Sequence, residues 1–175
     1  MENTSTAPVS TGSVGIRYGL ITGLASILLS AVMFLTNTEQ SPLRFFGYVI
    51  LAAGIWMAHQ FFKRNNGGFM SFGQGISIGT ILSAITGVLS AIFFYVYVSF
   101  LDTGFMGRMV DNARAQMEAS GKYSDEQMDQ AMAMTQKFMS LPAFMGIAVV
   151  STIIAGLIIS LIVSAITKHT RPEFE

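Results

Sequence analysis

The 175 residues carry ten basic and ten acidic side chains, so the formal charge cancels, and only 11% of the chain is charged against 51% apolar. An ordinary soluble domain carries about 25% charged residues, so this deficit points to lipid as solvent; with no basic block to neutralise phosphates, nucleic acid is excluded as a partner. There is no cysteine, which excludes disulfides and thiolate metal sites.

Residues 1–14 (MENTSTAPVSTGSV) are rich in Ser and Thr, nearly uncharged and without apolar periodicity, and are expected to form a disordered tail. Tyr18 to Thr38 is uncharged and mostly apolar, long enough for a hydrocarbon core of about 30 Å, which takes about 20 residues. The run exceeds the apolar region of a signal peptide and no A-x-A-like site follows it, so it reads as a retained first span. Phe45 to Phe62 makes a second span, closed by Lys63-Arg64 and the turn-forming Asn65-Asn66-Gly67-Gly68. Phe69 to Leu101 has no charge, and its most apolar part, Ile76 to Leu101, is longer than a perpendicular helix needs, so the third span is expected to tilt or protrude. Ala143 to Ile166 is the fourth, entered through Pro142, where a missing N–H loses no intrahelical partner. The fold class expected is therefore an all-α membrane protein with four transmembrane helices over 15–167, followed by a tail at 168–175.

Between the third and fourth spans, residues 102–141 hold ten of the twenty charged side chains and read as an amphipathic helical hairpin outside the membrane. Met106, Met109, Val110, Ala113 and Met117 recur at helical spacing, and Gly121 suits the left-handed position that ends such a helix. The second helix opens on a capping box, Ser124 with Gln127, and carries Met128, Ala131, Met132, Thr135, Phe138 and Met139 on one face. Met106, Met109, Met117, Met128, Met132 and Phe138 are the expected partner surface. Thioethers suit Cu(I), but no histidine lies near them in sequence, so they read as packing residues and no metal or cofactor is expected.

Helices gain little from hydrophobic association in lipid, so small residues spaced by four mark close packing. Such seams are Gly15, Gly19 and Gly23 in the first span; Gly75, Gly79, Ser83, Gly87 and Ala91 in the third; and Ala148, Thr152, Gly156, Ser160 and Ser164 in the fourth. Shifted by sixty residues, Gly15, Ile16, Gly19, Ile21, Leu29, Ser30, Ala31 and Phe34 match Gly75, Ile76, Gly79, Ile81, Leu89, Ser90, Ala91 and Phe94, the pattern a duplicated two-helix hairpin would leave. Arg17, Lys63, Arg64, Lys168 and Arg171 lie in short segments close to membrane ends, whereas Arg114 and Lys122 lie inside a long loop, so both termini are expected in the cytoplasm.

No Asp, Glu, Lys or Arg interrupts the apolar runs. His59, Gln60 and Gln74 are the polar candidates near their ends, and His59 is read as an interfacial histidine reaching headgroups or water. His169 has no partner visible in the sequence. Ser26, Ser30, Ser90, Ser160 and Ser164 have no assignable base and are expected to bond back to their own helices or bridge to neighbours.

The Gly-rich first span, the F-G-Q-G run at Phe72 to Gly75, and the outer segments D-N-A-R-A-Q-M-E (Asp111 to Glu118) and S-D-E-Q-M-D-Q-A-M (Ser124 to Met132) are similar to a bacterial integral membrane family known only as a domain of unknown function, DUF4199. The resemblance runs over nearly the entire chain. It implies a bacterial inner-membrane protein of about this size and brings no reaction, ligand or catalytic residue. The function expected is that of a non-enzymatic interaction or assembly component, with the lipid bilayer and a second copy or another membrane protein as partners. The alternative is a small transporter or channel subunit for a neutral or small solute.

Overall fold

The computed structural model describes residues 9–38, 41–122, 124–138 and 140–170, excluding the side chains of Asp125, Gln136 and Phe138. Phe138 as a partner-surface residue, Met139 and most of both tails thus lie outside what is described. Among the described residues every regular element is helical: α1 (Thr11–Leu35), α2 (Phe46–Asn65), α3 (Phe72–Val96), α4 (Phe105–Ser120), α5 (Asp125–Phe138) and α6 (Leu141–Thr167). A 3-10 turn, Pro42–Phe45, leads into α2, and a π-helical turn, Tyr97–Leu101, ends α3. Four stretches are long and apolar enough to cross a membrane: Thr11–Leu35, Pro42–Asn65, Phe72–Leu101 and Leu141–Thr167.

Helix α1 begins inside the segment expected to be a tail. Ser10 accepts a hydrogen bond from the Ser13 amide at 3.1 Å, satisfying one orphan donor of the first turn, and Val14 is buried in the core. Residues 11–14, expected in the tail, are thus the first turn of α1. The same device opens α3, where the Ser71 amide donates to Gln74 Oε1 at 2.8 Å and the Gln74 amide to Ser71 Oγ at 3.2 Å. Gln74 is therefore a capping residue of α3 rather than a polar group awaiting a ligand.

The chain divides into two compact units. The first comprises the described residues up to Ser90 together with those from Val150 onward. Its core is Val14, Leu51, Ile55, Ala58, Phe62, Met70, Ile78, Leu82 and Val163. On the outer side of α1, Ile16, Leu20, Leu24, Leu28, Val32 and Leu35 recur at three- and four-residue steps and are all exposed. So long an uncovered apolar stripe is unfavourable in water and is what lipid requires. At one end of this unit Met70 and His169 exchange backbone hydrogen bonds of 2.8 and 2.9 Å, and the His169 ring stacks on Phe69 at 5.3 Å. These contacts supply the partner for His169 that the sequence leaves unseen.

The second unit is Ala91–Val149. Within it Phe94 packs against Phe105 and Phe144 at ring separations of 5.6 and 5.1 Å. Asp102 accepts from both arms of the Arg108 guanidinium and from the Tyr97 hydroxyl, and this pairing holds its carboxyl below the ordinary carboxylate value. Gly121 ends α4 at φ 60°, a left-handed conformation that glycine adopts without strain. The Ser124 amide donates to Gln127 Oε1 at 3.1 Å at the start of α5.

Candidate functional site

Helix α3 packs on two neighbours through different chemistries. Against α1, a Cβ on Gly15, Gly19 or Gly23 would meet Ile81, Ile85 and Leu89 respectively, a parallel register in which glycine leaves room for a large aliphatic side chain. Against α6 the register is antiparallel and the pairs are Gly75 with Ser164, Gly79 with Ser160, and Ser83 with Gly156. Each step of four up α3 is a step of four down α6, so a serine on one helix always fills the notch of a glycine on the other. Two of these serines bond back to their own helix, Ser83 to the Gly79 carbonyl at 2.7 Å and Ser160 to the Gly156 carbonyl at 2.6 Å. Ser164 Oγ is buried beside Gly75 with no partner among the described residues. Gly87 is buried, while Ala148 and Thr152 are half-buried. The glycines matched by the sixty-residue shift thus have unlike neighbours: isoleucines of α3 for Gly15 and Gly19, serines of α6 for Gly75 and Gly79.

His59, on α2, is fully buried rather than reaching headgroups or water. Its Nε2 lies 3.0 Å from the Gly75 carbonyl and its Nδ1 lies 3.0 Å from Thr167 Oγ1. A carbonyl only accepts, so Nε2 carries a proton and donates. Thr167 Oγ1 is also 2.7 Å from the Val163 carbonyl. One hydroxyl proton therefore has two acceptors unless Nδ1 is protonated as well. The imidazole ties α2 to α3 and α6 at the Lys63-Arg64 end of the spans, and no hydrogen bond links it to Ser164.

At the opposite end of the same unit lies a cavity of about 300 Å³. Its lining comes from all four spanning segments: Ser26 of α1, Arg44 and Phe45 of the 3-10 turn, Gly47, Tyr48 and Leu51 of α2, Thr86 and Ser90 of α3, and Ser151 and Thr152 of α6. Thr86 Oγ1 donates to the Gly19 carbonyl at 3.3 Å. The Arg44 guanidinium lies 5.2 Å from the Phe45 ring centre, a cation–π contact. Convergent polar groups in a mostly apolar concavity are the usual form of a small-ligand site. Sequence reasoning gave Arg44 no site role and set Ser26 and Ser90 aside for want of a base. The usable signal was that Ser26, Ser90 and Ser151 fall off the four-residue seams and so are free to point elsewhere.

The methionines expected to form a partner surface differ in exposure. Met132 is buried, and Met106, Met109, Met117 and Met128 are half-buried, whereas Met134 is 63% exposed.

Residues 17–169 match the model of a family described as "Protein of unknown function (DUF4199)". No curated protein and no solved structure matches the chain.

Proposed function

The chain belongs to the DUF4199 family, whose description assigns no reaction, and on that footing we propose that it is a non-enzymatic interaction or assembly component of the bacterial inner membrane. The observation that carries this reading is α4 with α5, a pair of helices that hold eight of the chain's twenty charged side chains, placed between two apolar spans. We read the pair as an amphipathic hairpin outside the bilayer. Arg114 and Glu118 pair across one exposed turn at 3.0 Å, and Met134 adds an exposed thioether on α5. Flexible methionine on a polar helix suits adaptable protein contacts.

A photo-crosslinking residue at Met134 tests this in native membranes. The expected outcome is one discrete adduct, with a second copy or with another membrane protein, that the same probe at lipid-facing Leu28 does not give. A second reading, a transporter or channel subunit, is favoured by the hydroxyl-lined cavity. Specific flux of a neutral or small solute into proteoliposomes, without an adduct at Met134, would replace the first reading with the second.

A further inference from the structure

We propose that the cavity at the Arg44 end of the spans holds the headgroup of an anionic, amine-free phosphodiester lipid, with Arg44 on the phosphate and Ser26, Ser90 and Ser151 on the remaining headgroup oxygens.

Hydroxyls in membrane helices ordinarily satisfy themselves on the carbonyl one turn back, as Ser83, Ser160 and Thr167 do. The hydroxyls of Ser26, Ser90 and Ser151 line the cavity and make no hydrogen bond among the described residues. Three hydroxyls are thus left with a donor each, converging on one space from three helices. Arg44 likewise meets an aromatic ring and, among the described residues, no carboxylate. A planar guanidinium fork matches two phosphate oxygens, and such charge-assisted pairs are the strong class of hydrogen bond.

The charge balance selects the ligand. Among the described residues the lining holds one cation and no acidic side chain. A phosphodiester brings a single negative charge, which Arg44 neutralises; a phosphate dianion would bring a second charge that no cation of the described lining meets, and an ammonium headgroup would find no counter-ion there. Depth agrees with this. Arg44 is the third residue of the span Pro42–Asn65, whose 24 residues rise about 36 Å at about 1.5 Å each, against a hydrocarbon core of about 30 Å. Arg44 therefore lies at the edge of the hydrocarbon core, where a long side chain reaches the lipid phosphates. Phe45 and Tyr48, both exposed and stacked at 6.4 Å, give the aromatic surface that the glycerol and upper acyl carbons contact at that level.

The test uses the purified full chain in uncharged detergent, with lipid retention by native mass spectrometry and melting temperature as readouts. Phosphatidylglycerol should be retained and should raise the melting temperature, while phosphatidylethanolamine, glycerol 3-phosphate and inorganic phosphate at equal concentration should not. Arg44→Gln should weaken phosphatidylglycerol binding by at least about tenfold, and Ser90→Val, which fills the cavity and removes a donor, should weaken it too. Arg64→Gln, at the other end of α2, should bind as the parent does. Equal retention of the two phospholipids overturns the proposal, as does parent-like binding by R44Q. Comparable binding of glycerol 3-phosphate or inorganic phosphate overturns it in favour of a soluble anion. If R44Q loses the parent's melting temperature in the absence of lipid, Ser90→Val decides by the same criterion.

Discussion

At Gly79 and Gly156 a single added carbon would overlap the hydroxymethyl groups of Ser160 and Ser83, while at Gly146 it would meet nothing within 4 Å. Overpacking forces neighbouring side chains off their rotamers or separates the backbones, so Gly79→Leu and Gly156→Leu should each destabilise by about 1–3 kcal/mol. Gly146→Leu should stay close to the parent, and chemical or thermal unfolding in detergent distinguishes the two outcomes. The alternation of Gly and Ser along these seams is legible in the sequence, and so is their spacing. That α3 meets α1 through glycine and isoleucine, but α6 through glycine and serine, is not legible, because partner choice depends on which faces the other two spans leave open.

Helix ends were readable wherever a capping pattern is local. Ser124-x-x-Gln127 is read from the sequence, and Ser71-x-x-Gln74 has the same pattern, yet beside an uncharged run Gln74 looks like an intramembrane polar group. Position within the local motif decides its role, since the side chain is spent on the Ser71 amide. The start of α4 depends instead on Asp102, whose backbone carbonyl accepts from the Phe105 amide at 3.1 Å while its carboxylate holds Arg108. The sign of its pH dependence follows from the depressed folded-state value. The pair contributes fully above the ordinary value of 3.8 and is lost as pH falls through the lower folded value. Amide exchange at Phe105 to Arg108, corrected for its intrinsic pH dependence, should therefore show constant protection from pH 7 to 5. Protection should fall on further acidification, and Asp102→Asn should abolish that acid-dependent component.

Across the four spans, packing places Arg17 beside α2 near Lys63, and Lys168 next to a residue paired with the start of α3. The Arg17 guanidinium lies 4.8 Å from the centre of the Phe61 ring, two residues before Lys63, and Lys168 precedes the His169 that pairs with Met70. A cluster of this sign next to membrane ends favours the cytoplasmic side. We expect reporters fused after Arg171 to read out in the cytoplasm and reporters at Gly121 to read out on the far side; the reverse pattern would invert the orientation while leaving the span count intact, because apolar length sets the count and charge sets only direction.

Span number, approximate span limits and the polar segment after the third span were determined by the sequence alone, since the bilayer's thickness and the cost of unpaired backbone groups act on each segment without reference to the others. His59 shows where that ends. A histidine four residues before Lys63 is indistinguishable, in one dimension, from one reaching for water, and only the approach of Gly75 and Thr167 from two other helices closes it off. The cavity follows the same rule. Arg44, Ser26, Ser90 and Ser151 are far apart in sequence, and their convergence on one space depends on helix registers that only tertiary packing decides.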